Sequence, residues 1–159
     1  MKKITTILLA ALALAIPASA QVGKNIYKKY SDSEDIEAVY ISPAMFRLIK
    51  KLPDMDFYDK NLNMTSAVKS LDGLYIIDSD NATVTESLRQ DVEKLISNGS
   101  YELLMEAKED GETVRICTCA KDDIITSFIL LAVECEECDF ICIEGKMSRE
   151  QVEKLMAGE

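Results

Sequence analysis

The chain has 159 residues, a formal net charge of −10 at pH 7, and neither histidine nor tryptophan. The length suits one domain around one hydrophobic core, and the negative charge disfavours nucleic acid and anionic membrane surfaces as partners. Without histidine, the chain cannot form a Ser-His or Cys-His catalytic pair or a histidine-ligated zinc site. We therefore expect a protein that is not an enzyme and that holds no cofactor and no metal.

The first twenty residues predict a secretory signal that is removed on export. Lys2 and Lys3 form its positive start, and the apolar stretch 4–16 is too short to span a bilayer comfortably. A small-residue cleavage site ends at Ala20, so we expect the mature chain to begin at Gln21 without the two lysines. The protein is then periplasmic or secreted and has no membrane contact after cleavage.

The mature chain opens with a polar segment, 21–35, in which we expect a flexible N-terminal arm because no apolar periodicity is visible. The folded domain is predicted to occupy 36–159, and its first strand is 36–41. Ser42 can cap a helix, and the proline after it suits the first helical position. These signals predict a helix over 43–52.

A second strand and a second helix follow a stretch, 54–72, that has no readable pattern. The short apolar run 74–77 predicts the strand. Thr83 and Glu86 form a capping box, which predicts a helix over 83–98 with one apolar face. The order strand–helix thus occurs twice before the pattern changes.

Four consecutive strands are predicted in the second half of the chain, over 101–109, 112–120, 125–134 and 139–144. Asp110-Gly111 is a strong hairpin signal because both turn residues must accept a positive φ. This hairpin pairs Glu106 with Arg115. Along both strands we expect the face with Ile116 to be the core and the face with Arg115 to be largely solvated.

Together these elements predict an α+β fold, with a single domain, a mainly antiparallel sheet and helices packed on one face. The four late strands form the sheet, and the two early strands extend it. The helices 83–98 and 43–52 are expected to cover it. A capping box at Ser148 and Gln151 predicts a short final helix.

Five cysteines lie in the same half of the chain: Cys117, Cys119, Cys135, Cys138 and Cys142. Exported chains often meet oxidising conditions, in which disulfides persist. If 136–137 is the tip of a tight hairpin, Cys135 and Cys138 flank it and Leu131 lies opposite Cys142. We therefore predict Cys135–Cys138 as the intramolecular disulfide and Cys142 as a buried thiol. A looser loop at the two glutamates is the alternative.

The same cysteines could serve two other chemistries. The spacing CxC…CxxC resembles a four-thiolate zinc site, but Cys117 and Cys119 lie inside a predicted strand rather than in a tight turn. A thioredoxin-like use of Cys135 and Cys138 conflicts with the neighbouring carboxylates, which disfavour a thiolate. The favoured interpretation is that the cysteines serve as small apolar side chains, that one local disulfide forms among them, and that they bind no metal.

Two segments carry a resemblance to a known family, VYISPAMFRLI at 39–49 and IEGKMSREQVEKL at 143–155. With the run of four strands between them, they resemble a family of small exported bacterial domains of unknown function. The resemblance covers most of the mature chain and implies an α+β fold and export. It transfers no catalytic or binding residues, and the cysteines depart from the family's general pattern.

Three classes of function follow from these features. We expect a non-catalytic binding or interaction module of the cell envelope, whose partner is an envelope or extracellular protein. The alternative is a small-ligand carrier, which needs an apolar pocket between the sheet and the helices. A carboxylate-based hydrolase comes third, because no motif marks any pair of the many acidic residues.

Overall fold

An antiparallel sheet organises the chain. The computed structural model describes residues 21–49 and 70–150. In chain order the elements are α1 (Val22–Tyr30), β1 (Ile36–Ile41), α2 (Pro43–Ile49), β2 (Leu71–Ser79), α3 (Ala82–Ser97), β3 (Glu102–Glu109), β4 (Glu112–Lys121), β5 (Ile124–Glu134) and β6 (Glu137–Ser148). Within the described residues the sheet has six strands in the order β1-β2-β6-β5-β4-β3, and all neighbouring strands are antiparallel. The fold is thus a single α+β domain, and β2 joins the early strands to the late ones as predicted.

Short polar side chains begin α2 and α3. The backbone N–H of Met45 donates to the Ser42 hydroxyl at 3.3 Å, so the predicted cap of α2 is confirmed. The cap of α3 is Asn81, whose side-chain oxygen accepts from the N–H groups of Thr83 and Val84 at 3.0 and 3.1 Å. The predicted capping box at Thr83 is therefore wrong, because Asn81 already satisfies these N–H groups.

The turn between β3 and β4 has the backbone that the sequence predicts. Asp110 and Gly111 have φ values of 46° and 96°, so the two-residue hairpin is confirmed. Gly99, after α3, also has a positive φ, of 75°, where an L side chain would be strained. The positive φ values at Gly99 and at Asp110-Gly111 allow the chain to reverse direction within a few residues after α3 and between β3 and β4.

The β5–β6 hairpin turns one residue earlier than predicted. Its positive φ, of 52°, falls on Cys135, so the turn is 135–136 rather than 136–137. Leu131 consequently pairs with Phe140, and the predicted pairing with Cys142 is wrong. The observed register is favourable because Leu131 and Phe140 are both almost completely buried against each other and the helix layer.

The segment expected to be a flexible arm contains α1 instead. Val22, Ile26 and Tyr30 recur every four residues, and all three are buried. A Cβ atom on Gly23 would lie only 2.5 Å from the Tyr75 ring, so the backbone of α1 contacts the sheet directly. This spacing, with polar residues between the buried positions, is an amphipathic helical period that the sequence carries and that we did not predict.

The helices α1 and α3 pack on one face of the sheet, which we call the covered face. Leu88 of α3 and Phe140 and Cys117 of the sheet are completely buried there. The predicted faces of the β3–β4 hairpin are therefore exchanged, because the core face carries Cys117 rather than Ile116. The small cysteine side chain leaves room for the helix layer, and Arg115 lies on the same face at its margin.

The opposite face of the sheet is also apolar. By strand register it carries branched and aromatic side chains on neighbouring strands: Ile41, Leu74, Ile76, Ile116, Phe128, Leu130, Ile141 and Ile143. Because both faces are apolar, alternation along a strand does not distinguish the core face in the sequence. α2 packs against β2, with Phe46 buried.

Candidate functional site

A cavity of about 390 Å³ opens between α3 and the β3–β4 hairpin. Three cationic side chains line it: Arg89, Lys108 and Arg115. One carboxylate, that of Glu86, also lines it. The floor is apolar and comes from β5, where Leu131 is 1% exposed and Val133 is half-buried. We call this cavity the cleft.

α3 supplies one wall of the cleft through its helical spacing. Glu86, Arg89 and Glu93 lie three and four residues apart, so their side chains are neighbours on one side of the helix. The Arg89 guanidinium donates to Glu86 at 2.7 and 2.9 Å and to Glu93 at 2.5 Å. The helix therefore presents a row of paired charges at the cleft.

The β3–β4 hairpin supplies the opposite wall. Glu106 and Arg115 are cross-strand partners, which confirms the predicted pairing. Arg115 donates from Nε to Glu106 at 2.7 Å and from Nη1 to Glu93 at 3.0 Å. Lys108 lies 2.9 Å from the other oxygen of Glu106. Six charged side chains thus run from the hairpin to α3, and we call them the ionic network.

Pairing keeps the ionic network charged near neutral pH. Hydrogen bonds from Arg89 and Gln90 lower the pKa of Glu86 to about 2. The hydrogen bond from Arg115 is the main cause that lowers the pKa of Glu106. General acid–base catalysis works best with a pKa near the working pH. These two carboxylates are therefore suited to fixed charge rather than to proton transfer.

A second polar cluster lies in the middle of the covered face. The Tyr101 hydroxyl donates to Ser127 at 2.8 Å, and the Ser127 oxygen lies 3.5 Å from the Cys142 sulfur. Burial raises the pKa of Cys142 to about 12, so this thiol is protonated at neutral pH and is a poor nucleophile. With the neighbouring Glu144, these side chains form what we call the buried polar cluster.

Glu144 connects the buried polar cluster to α1. It accepts the backbone N–H of Gly23 at 3.0 Å, in the first turn of the helix, where a carboxylate is favoured. Burial raises the pKa of Glu144, and the hydrogen bonds from Gly23 and Tyr75 oppose that rise. The carboxylate therefore fixes the start of α1 over the sheet at an electrostatic cost.

All five cysteines are free thiols in the structure. Cys117, Cys138 and Cys142 are buried, whereas Cys135 is exposed at the turn and lines the cleft. Because Val133 pairs with Cys138, Cys135 does not lie opposite Cys138. The register on which we based the Cys135–Cys138 disulfide is therefore wrong. Across the described residues, no group of three or more Cys, Asp or Glu side chains could hold a metal ion.

Other predicted features lie partly or wholly outside the described residues. Ala20 lies outside them, and Gln21 is the residue directly before α1. The stretch without a readable pattern is described only from Ser70, and the predicted final helix only to Glu150. The predicted cleavage site and the predicted final helix therefore stay predictions.

The places of Arg89 and Glu93 in the ionic network were not predicted from the sequence. Their spacing of four residues is a readable signal for a pair on one helix side. The contact between Glu93 and Arg115 is not readable, because 22 residues separate them and only the packing of α3 on the sheet brings them together.

Comparison with known proteins gives a family and nothing further. No curated protein and no solved structure is detectably similar to the chain. None of the described helices is long and apolar enough to cross a membrane. The family model described as "Domain of unknown function (DUF4252)" matches residues 29–155, which include every residue of the ionic network. The chain therefore belongs to this family of domains of unknown function.

Proposed function

We propose that the domain is a non-catalytic binding module of the cell envelope and that the cleft holds its ligand or a short segment of its partner. The observation that carries this proposal is the shape and chemistry of the cleft, where charged walls stand over an apolar floor. Binding sites commonly combine an apolar surface with a few polar groups that fix orientation. An envelope or extracellular protein is the proposed partner.

The state of the titratable groups supports a non-catalytic role. The carboxylates of the ionic network are each held by cationic partners, and the thiol of Cys142 is buried and protonated. A carboxylate-based hydrolase needs two carboxyl groups that face a common substrate position. In the cleft the only carboxylate among the described lining residues is Glu86, so the cleft gives this third candidate little support.

The floor of the cleft favours the second candidate, a small-ligand carrier, in one respect. Val133 offers a partly exposed apolar surface between the sheet and α3, with Leu131 buried beneath it. The walls are charged, however, so the cleft differs from the apolar pocket that this candidate needs. A carrier function would therefore need a ligand with both a polar and an apolar part.

Export is part of the proposal, and the position of α1 supports it. Cleavage between Ala20 and Gln21 leaves α1, which begins at Val22, complete. We expect mass analysis of the exported protein to find Gln21, or its pyroglutamate form, as the first residue. An exported protein that retains residues 1–20 would contradict the predicted signal.

Occupancy of the cleft is testable by NMR with a set of small charged and neutral organic probes. We expect binding probes to shift the backbone amide signals of Lys108 and Arg115. The variant Thr113→Phe fills the cleft and should abolish these shifts. The matched control Glu112→Phe places the same ring on the other face of β4, where it is exposed, and should preserve them. If no probe shifts these signals, or if both variants behave alike, the proposed binding site is wrong.

A further inference from the structure

We infer that the cleft recognises a carboxylate that carries a short apolar group, an inference that rests on the proposed binding function. The charge of the lining is the first observation. Among the described residues that line the cleft, three are cationic and one is anionic. Glu93 and Glu106, which pair with Arg115 just outside this lining, balance the cations, so the ionic network is neutral in a chain whose net charge is −10. An anionic group therefore meets less repulsion there than the charge of the whole chain would give.

Hydrogen-bond donors that remain available form the second observation. Arg115 uses Nε and Nη1 for Glu106 and Glu93, and its Nη2 makes no hydrogen bond to the described part of the chain. An ammonium has three N–H donors, and the salt bridge from Lys108 to Glu106 needs only one. The two cations lie on adjacent strands as diagonal neighbours, with their Cα atoms about 7–8 Å apart. Two long side chains at this spacing can converge on one carboxylate.

The one anionic residue of the lining is already engaged. Glu86 accepts hydrogen bonds from Arg89 and from the Gln90 amide, at 2.7 to 2.9 Å. An ammonium ligand would have to compete with Arg89 for this carboxylate. A carboxylate ligand instead meets the free donors of Arg115 and Lys108, and such charge-assisted hydrogen bonds are the strong ones.

The floor and the volume of the cleft define the rest of the ligand. Val133 is the partly exposed apolar side chain of the floor, above the buried Leu131, so the group attached to the carboxylate should be aliphatic or aromatic. The volume of about 390 Å³ lies at the lower end of the range of ligand pockets, roughly 300–1,000 Å³. A free organic acid and the C-terminal carboxylate of a peptide with an apolar last residue share this chemistry.

Three probes of equal length test the inference: hexanoate, hexanamide and hexylammonium. We expect titration calorimetry on the full exported protein to detect hexanoate. The affinity for hexanamide should be at least about tenfold lower, because the charge-assisted hydrogen bonds are lost. Hexylammonium should not bind. The peptide Ala-Ala-Leu and its C-terminal amide then separate the two sources, since only a peptide-binding cleft prefers the free acid peptide over hexanoate.

Two variants locate the site. Lys108→Gln and Arg115→Gln should each weaken hexanoate binding about tenfold or more. Lys94→Gln is the matched control, because Lys94 is an exposed cation of α3 that pairs with Asp91 and does not line the cleft. Lys108 is exposed, so its substitution tests the site without endangering the fold.

The outcomes separate the two proposals. If hexanamide or hexylammonium binds in the cleft as tightly as hexanoate or more tightly, the inference that the cleft recognises a carboxylate is wrong. The proposed binding function would still stand. Hexanoate binding that Lys108→Gln and Arg115→Gln do not weaken overturns the assignment of the site. If no probe binds and no cleft signal shifts, the inference and the proposed function are both wrong.

Discussion

The ionic network and the buried polar cluster lie on the same face of the sheet, but they differ in their access to water. Every charge of the ionic network has a partner of opposite sign, and most of these side chains are partly exposed. The buried polar cluster consists of neutral hydroxyl and thiol groups around one carboxylate, that of Glu144. Loss of one partner leaves a charge of the network in contact with water, whereas loss of one partner in the cluster leaves a buried polar group without a hydrogen bond.

This difference follows from the cost of burying charge. An unpaired charge in the core would be unstable, so the protein keeps Cys142 protonated and gives Glu144 two hydrogen-bond donors. Near the surface the penalty is smaller, and charges can be gathered without proton uptake. The two clusters therefore predict different responses to mutation, from large in the core to small in the network.

The largest effect is expected for Leu88→Ala. Leu88 is completely buried and anchors α3, which carries Arg89 and Glu93 to the cleft. Loss of the buried side chain should lower the free energy of unfolding by about 2–5 kcal/mol. Gln90→Ala, on the exposed side of the same helix, should change it by no more than about 0.5 kcal/mol. Urea titrations that find equal losses for both variants would contradict the assigned face.

A smaller loss is expected for Gly23→Ala. The new Cβ would meet the Tyr75 ring at 2.5 Å and the Cys142 sulfur at 2.8 Å, so α1 must move away from the sheet. Overpacking of this kind costs about 1–3 kcal/mol. Lys28→Ala, at an exposed position of α1, serves as the control and should stay within about 0.5 kcal/mol. An unchanged stability of Gly23→Ala would mean that α1 does not contact the sheet this closely.

A pH-dependent effect should follow from Glu144. Burial raises its folded-state pKa above the ordinary carboxyl value, so the folded protein keeps a proton that the unfolded chain has already released. Stability should therefore fall as the pH rises through the window between the two values. The Gln side chain of Glu144→Gln is neutral at every pH and should remove this loss. The free energy of unfolding of the variant should therefore rise relative to that of the wild type as the pH rises.

Urea titrations across this window measure the difference between Glu144→Gln and the wild type. Glu112→Gln, an exposed carboxyl group of the β3–β4 hairpin, serves as the control and should stay within about 0.5 kcal/mol throughout. A difference that is constant with pH would show that Glu144 does not titrate in the folded protein as burial requires.

The parts of the fold that the sequence predicts correctly are those with local causes. Asp110-Gly111 specifies its hairpin because both residues accept a positive φ, and the same turn fixes the pairing of Glu106 with Arg115. Ser42 caps α2 for an equally local reason. The family and the single α+β domain were also predicted correctly, since strand and helix periods are read over short windows.

The parts that were missed depend on packing between distant segments. α1 is the exception, because its buried residues recur every four positions, a local signal that we missed, and Gly23 and Ile26 then pack on the sheet. The positive φ of Cys135 follows from the core register of β5 and β6, not from a turn residue that favours it. Likewise Arg115 reaches Glu93 only after α3 has docked, so the cleft could not be predicted.

The smallest effect is expected within the ionic network itself. A double-mutant cycle on Arg115→Met and Glu93→Gln isolates the pair that connects the hairpin to α3. The Glu93 side chain is 40% exposed and shares its charge with Arg89, so water and the second partner screen the interaction. We expect a coupling energy of about 0.2–1 kcal/mol that decreases with added salt. A coupling near 3 kcal/mol, insensitive to salt, would mean that the network holds the fold as the buried polar cluster does. In that case Arg115 would not be available to bind a ligand.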